Sequence, residues 1–190
     1  MVGTDPLEVD RLLTGGELGC PGCGGELRPW GSARSRGVRD KDVVVSSCPR
    51  RSICLGCSCT HVLLPASLLA RRADTAVVIG GALLAKAAGL GHRPIALLLG
   101  RPESTVRGWL RRFGARAQSI SVLFTGLLHA LDATVGAVSP TGSVFGDAVE
   151  VLGLAAAAAA RMFGPRPAWQ FASSASSGLL LGPGPSTNTS

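Results

Sequence analysis

Two cysteine pairs of the same form, Cys20-Pro-Gly-Cys23 and Cys54-Leu-Gly-Cys57, restrict what this chain can fold into more than any other feature. Two residues between thiols let both sulfurs reach one tetrahedral ion, and the glycines beside each pair permit the tight turn that this requires. Four thiolates close a metal site and leave no position for water or substrate. The pattern therefore predicts a structural Zn²⁺ held by Cys20, Cys23, Cys54 and Cys57, which serves folding and not catalysis. Cys48, Cys59 and His61 are left over, and each could replace a member of the second pair; the paired spacing favours the four. Around the pairs, residues 20–65 are rich in Cys, Gly, Arg and Ser, carry short β-favouring pieces such as 43–45, and show no sustained helical period. They read as a small metal-stapled β module.

The second constraint lies at residues 92–111, HRPIALLLGRPESTVRGWLR. Small and apolar residues stand here at the spacing of a helix-turn-helix. Ala96 falls where two helices nearly touch, Gly100 where the chain turns with positive φ, and Val106 and Trp109 where the second helix packs back, with Ile95 and Leu99 completing a small core. Residues 74–88, ending at Gly89 and Gly91, supply the first helix of a three-helix unit. Pro94 sits near the start of the next helix, where its missing N–H costs nothing. A recognition helix starting near Glu103 exposes Ser104, Thr105, Arg107, Arg111 and Arg112 away from the core. Arg107 is placed for a bidentate contact to guanine, and Arg111 and Arg112 for backbone phosphate. Glu103 favours the helix dipole and can accept from a cytosine amino group. Arg101, also assigned to the DNA-contacting set, stands where an apolar residue often seals the turn, and Pro102 beside it is a second departure from the pattern. Trp109 is a core residue in this reading, and Arg71 and Arg72 are further backbone-contact candidates.

The charge distribution agrees with a polyanion partner. The formal charge is +7, and residues 1–116 carry 17 Lys+Arg against 9 Asp+Glu, whereas residues 117–190 carry 2 against 3. Neutralised phosphates supply most nonspecific affinity for nucleic acid, so a basic N-terminal part joined to a neutral one fits double-stranded DNA as partner. The first nineteen residues hold several acids and lack the apolar core of a secretory signal, which predicts a cytoplasmic protein, nucleoid-associated when bound to DNA. In a reducing compartment six cysteines point to metal and not to disulfides.

Residues 1–19 read as a loose leader. Beyond Phe113 a long helix is predicted over 115–138, with Ile120, Leu123, Phe124, Leu127, Leu131 and Val135 on one stripe, followed by a break at 139–142 and a second helix over 144–163 that includes the alanine run 155–160. The two are expected to form an antiparallel hairpin that packs on the three-helix unit or makes a homodimer. Neither segment qualifies as a membrane span: residues 117–139 contain His129 and Asp132, and 151–163 are shorter than the roughly 20 residues a span needs. Residues 164–190 are rich in Pro, Ser and Gly and read as a disordered tail.

The stretches CPGCGG, RRSICLGC followed by THVLLP, RRAD, and GLGHRPIALLLGRPESTVRGWLRRF resemble zinc-ribbon plus helix-turn-helix proteins of actinobacterial type, similar to the N-terminal DNA-binding part of insertion-sequence transposases. The resemblance covers roughly residues 20–113. It implies sequence-specific binding to element ends or operator DNA, with Cys20, Cys23, Cys54 and Cys57 at the family's metal positions. Transposases of this type continue into a catalytic domain with three metal-binding carboxylates. After Phe113 this chain has only Asp132, Asp147 and Glu150, too little for a nuclease fold. No nucleophile, base and orienter set or phosphate loop appears. The expected protein is thus mainly α: leader 1–19, zinc ribbon 20–65, helix-turn-helix unit 70–116, helical hairpin 117–163 and tail 164–190. Its expected function is noncatalytic DNA binding, regulator-like or transposase-associated. The rival is a protein–protein interaction module partnering a transposase or the transcription machinery.

Overall fold

The computed structural model describes residues 2–3 and 5–182. Five strands are followed by six helices, and one further helix precedes them: α1 Pro6–Thr14, β1 Leu27–Ser32, β2 Arg36–Asp40, β3 Val43–Ser47, β4 Arg50–Cys54, β5 Thr60–Val62, α2 Ala76–Ala87, α3 His92–Leu99, α4 Glu103–Gly114, α5 Ala117–Leu131, α6 Val144–Phe163 and α7 Ala168–Ala175. The mainly helical class with a small β module agrees with the sequence. Among the described residues no helix is long and apolar enough to cross a membrane.

Strands β1, β4 and β5 form an antiparallel sheet in the order β1-β4-β5, and β2 and β3 form a separate hairpin. The hairpin turn places Lys41 at φ 45. Residues 43–45, predicted as β, form most of β3, and all three valines remain exposed. Val38 on β2 is fully buried, and its neighbour Arg39 exchanges backbone hydrogen bonds with the strip before α2, Arg39 N to Ala73 O at 2.8 Å and Thr75 N to Arg39 O at 3.0 Å. The β hairpin is thereby tied to the helical body.

The leader is not loose. Pro6 opens α1, the Asp5 carboxylate accepts from the Leu7 amide at 2.9 Å, and Glu8 and Arg11 complement the helix dipole at opposite ends. Val9 and Leu13, one turn apart, enter a small core with Cys20, Leu27, Cys54 and Leu63. Asp10 lies 2.7 Å from Arg50 of β4. The short amphipathic run was visible in the sequence; the apolar underside of the cysteine module is the partner that orders it.

The helices α2 to α7 share one continuous core that runs from Leu69 to Leu181, so the three-helix unit and the C-terminal helices are not separate bodies of packing. Thr75 caps α2 by accepting from Val78 N at 3.3 Å. Ser143 caps α6 in the same way through Gly146 N at 3.0 Å. Helix α5 stops seven residues before the predicted end at 138, because the Asp132 carboxylate accepts from both the amide and the hydroxyl of Thr134 and turns the chain. Of the predicted stripe, Ile120 and Phe124 are buried, Leu127, Leu131 and Val135 pack partly against the core, and Leu123 is exposed; Leu128 takes the place nearer the centre.

The expected antiparallel hairpin is corrected to a side-by-side pair running the same way. Phe145 at the start of α6 meets Phe113, just before α5, with ring centroids 4.8 Å apart, and Arg161 near the end of α6 pairs with Asp132 at the end of α5 at 2.8 Å. Contacts at both ends fix the direction. A 15-residue helix is about 22 Å long, and the extended segment 132–143 reaches back over that distance with Val135 and Val138 packed on the core.

The predicted disordered tail is also corrected. Helix α7 docks on α2, with Trp169 and Ala172 buried, the Ser173 hydroxyl donating to Leu68 O at 2.6 Å, and Leu180 and Leu181 entering the core. The segment is too sparse in apolar residues to fold alone, yet its few large ones find a prepared face. Gly80 in the middle of α2 makes that face, since a β-carbon there would overlap the Trp169 indole. Gly80→Ala is expected to cost about 1–3 kcal/mol through overpacking, read as a lower Tm, whereas Gly153→Ala, where nothing lies near the added carbon, is expected to be neutral or stabilising. Residues 183–190 of the predicted tail, with Met1 and Thr4 of the leader, lie outside the described residues.

Candidate metal centre and the α3–α4 surface

Antiparallel pairing of Leu27 with Cys54 brings the turn before β1 against the turn after β4. Leu55 N donates to Glu26 O at 3.0 Å and locks the two turns together. Each turn is itself closed, by Cys20 N to Gly25 O at 2.7 Å and by Ser58 N to Cys54 O at 3.0 Å. The sulfurs of Cys20, Cys23, Cys54 and Cys57 therefore converge, and all lie within 4.8 Å of one another. Two edges of the cluster are 3.8 Å, Cys20 to Cys57, and 3.4 Å, Cys23 to Cys54. Metal–sulfur bonds of about 2.3 Å in a tetrahedron require edges of about 3.8 Å. These separations are far beyond the roughly 2.05 Å of a disulfide, and all six cysteines are free. The four thiols could hold a metal ion.

The local chemistry fits thiolate ligation. The amides of Gly56 and Cys57 donate to the Cys54 sulfur at 3.3 and 3.5 Å. A β-carbon at Gly25 would stand 3.1 Å from that sulfur and 3.3 Å from the Cys23 sulfur, so glycine is needed where backbone and sulfurs crowd. The Gly22 and Cys23 amides hold the Cys20 thiol below its ordinary range, against the opposing effect of burial. At Cys23 the Gly25 amide also acts downward, but the neighbouring thiols of Cys54 and Cys57, burial and Cys20 together outweigh it and push the group up to about 12. At Cys23 the crowding of neighbouring thiols is thus unfavourable to ionisation, and a bound cation would reverse this.

His61 on β5 is outside the four-sulfur set but touches it, with Nε2 3.4 Å from the Cys20 sulfur. In that position a ring N–H would donate to a Cys20 thiolate and steady it. Cys48 points elsewhere, its thiol donating to Ala33 O at 3.2 Å, and Cys59 lies exposed outside the set, while its carbonyl accepts from Cys54 N.

Helices α3 and α4 are joined by the three residues Gly100 to Pro102, with Gly100 left-handed at φ 59 and ψ 42. Gly100 N donates to Leu97 O and Arg101 N to Ala96 O, which satisfies the last carbonyls of α3. Ile95, Ala96, Val106 and Trp109 are buried as their spacing suggested, joined by Leu110 and Phe113. On the outer side of α4, Glu103, Ser104, Arg107, Arg111 and Arg112 are exposed and Thr105 is half-buried. Glu103 pairs loosely with Arg93 at 3.4 Å, and Arg112 donates to Gly108 O at 3.3 Å. Among the described residues Arg107, Arg111 and Arg112 have no carboxylate partner.

Arg101 does not belong to that outer surface, which corrects its assignment to the DNA-contacting set. Its side chain is 8% exposed, and its Nε donates to the Asp74 carboxylate at 2.6 Å while its other nitrogens donate to the carbonyls of Leu99, Gly100 and Lys41. Asp74, 2% exposed, also takes a two-nitrogen contact from Arg39 at 3.0 and 2.6 Å. Thr75 Oγ1 donates to Asp40 at 2.9 Å beside it. One buried carboxylate thus joins β2, the entry to α2 and the α3–α4 turn, and Arg101 closes that turn by reaching it. Asp74 and Arg39 were not identified from sequence as a node. A signal was present, since Asp74 is the only acid between Asp42 and Glu103 in a stretch holding several arginines.

Comparison with protein-family models, with curated proteins and with solved structures finds no match to this chain.

Proposed function

We propose that this chain is a noncatalytic, sequence-specific DNA-binding protein that presents α4 to the major groove and uses a structural Zn²⁺ at Cys20, Cys23, Cys54 and Cys57 to hold its β module. The observation that carries the reading is the outward face of α4. Ser104, Arg107 and Arg111 recur at three- and four-residue intervals on the side opposite Val106, Trp109, Leu110 and Phe113, with three arginines free of carboxylates. Thr105 and Glu103 flank them at the helix start. Arg107 is suited to a base edge and Arg111 and Arg112 to phosphate; Arg101 acts only by setting the turn. Zinc is favoured because four cysteine thiolates in a closed tetrahedron suit it and leave no open position. The reading includes a regulator-like or transposase-associated role, which the sequence resemblance over residues 20–113 suggests.

Titration of a zinc-loaded chain with duplex DNA across salt concentrations tests this. Affinity is expected to fall steeply with salt. Arg111→Ala should lower the slope of log K against log salt by about 0.9, and Arg107→Ala should weaken a selected site by about 1–3 kcal/mol and relax its base preference. Affinity insensitive to salt and to both changes would overturn the proposal.

A second reading, a module that docks on a transposase or transcription protein, is favoured by Leu97 and Leu98, which α3 exposes at 86% and 70%. It predicts partner recovery that Leu97→Ser plus Leu98→Ser abolishes, with no preference among DNA sequences. Two-fold DNA reading would draw on a homodimer through the C-terminal helices, where α5 exposes Val122 and Leu123.

A further inference from the structure

Between the β module and the helical body lies a cleft of about 570 Å³ whose walls bring together Arg34, Arg36 and Arg71 over an apolar floor that includes Val62, Leu64 and Ala70. No acidic side chain lines it, and among the described residues none of the three arginines pairs with a carboxylate. Arg51 stands beside it, because its register partner Val62 forms part of the wall and directly paired residues share a face of the sheet. Arg71 is held in the left-handed region at φ 59, where a side chain is rarely tolerated. Its neighbours fix it there: Ala70 N donates to Gly178 O at 2.9 Å and Arg72 donates to Leu181 O at 2.8 Å. Burial, and then the positive charge of Arg112 on α4, push the guanidinium of Arg72, the residue after Arg71, below its ordinary value.

We infer that the Arg34, Arg36 and Arg71 cleft is a second phosphate-binding surface that takes the backbone of the same DNA duplex whose groove α4 enters. Three arginines lining one concave, largely apolar site with no carboxylate among its walls leave their charge uncompensated there, and an oxyanion neutralises it. The inference rests on the DNA-binding reading and adds to it a role for the β module: Arg34, in the link between β1 and β2, and Arg36, at the start of β2, are placed beside Arg71 by the pairing of Arg39 with the strip before α2. Residues from both bodies of the fold then grip one polyanion.

The test compares the zinc-loaded full chain with two variants, Arg34→Gln plus Arg36→Gln plus Arg71→Gln at the cleft and Arg107→Ala plus Arg111→Ala on α4, titrated with a 30-base-pair duplex from 50 to 200 mM salt. Loss of three phosphate contacts should lower the salt slope by about 2.7, so that the affinity ratio between these two salt concentrations shrinks about 40-fold. The triple lysine variant should retain the slope, since charge and not shape carries this contact. If the triple glutamine variant does not fold, Arg34→Gln alone, at an exposed position, should remove about 0.9 of slope. A slope unchanged at the cleft while the α4 variant weakens binding would overturn the cleft and leave the α4 reading standing. A wild-type chain with no salt-dependent DNA binding would overturn both. Saturable binding of inorganic phosphate abolished by the cleft variant, with the DNA slope unchanged, would assign the cleft to a free anion and overturn the duplex assignment.

Discussion

Cys54→Ser, or treatment of the metal-loaded chain with a strong chelator, is expected to unfold the β1-β4-β5 sheet and α1 while the helical body persists. Cys54 is 1% exposed, sits in the small core with Val9, Leu13 and Leu63, and receives two amides at its sulfur. That core is too small to order some sixty residues without a staple, and structural zinc in zinc-finger peptides contributes about 10–16 kcal/mol of apparent binding energy, the scale expected of a zinc ion at these four thiols. The three tryptophans divide the report. Trp30 lies exposed on β1, whereas Trp109 and Trp169 are buried in the helical core. Chelation should therefore speed amide exchange in β1, β4 and β5 and leave the buried-tryptophan emission nearly unchanged. The pH dependence has a definite sign. Binding expels thiol protons, and the Cys23 thiol, pushed up to about 12, is protonated throughout the neutral range. Protons thus compete with the metal, and affinity should rise at least about tenfold per pH unit between pH 6 and 8, measured against a chelating indicator. Affinity flat in pH, or unaltered exchange after chelation, would remove the cluster from its structural role.

What the sequence made legible here was local. The C-x2-C spacing names four sulfurs that the strand pairing then brings together, and the positions of Ala96, Gly100, Val106 and Trp109 specify a close approach, a left-handed turn and a buried return within one short frame. Such features depend on backbone geometry over a few residues. Apart from the end of α5, the errors concern partners that lie far away in the chain. Val9 and Leu13 are too few to order a leader until the cysteine module covers them, and Trp169 anchors the tail only because Gly80, 89 positions earlier, leaves room for it. Periodicity gave the buried face of α5 but carries no information on which way α6 runs along it. The Asp132–Thr134 turn, which stops α5 and starts the return, was readable as Asp-x-Thr but competes with a strong helical pattern on either side. Basic residues on α4 were identifiable as a surface; the cleft arginines were not, because 34, 36 and 71 meet only after β2 is pinned to the strip before α2.

That pinning gives the other large effect. Asp74→Ala is expected to destabilise the chain by about 3–5 kcal/mol in urea unfolding, because it strands the guanidinium of Arg101 in a site where it is 8% exposed. Arg39 is 40% exposed and can turn to water, so Arg39→Ala should cost much less. Asp74→Asn keeps the shape and one acceptor but not the charge, and should fall between. Arg101→Ala leaves Asp74 paired with Arg39 and removes the tie to Lys41 O, so it too should cost less than Asp74→Ala; combining the two should be far from additive. The same series separates two roles for Arg101. If it holds the turn, Arg101→Ala at a temperature where the chain remains folded should leave the salt slope of DNA binding at its wild-type value, while Arg111→Ala lowers it. A slope reduced by about 0.9 with stability unchanged would return Arg101 to the DNA surface. An Asp74→Ala chain within 1 kcal/mol of wild type would show that the β hairpin and the α3–α4 turn are held together by something other than this carboxylate, and the placement of the cleft arginines would then rest on the backbone pairing of Arg39 with Ala73 and Thr75 alone.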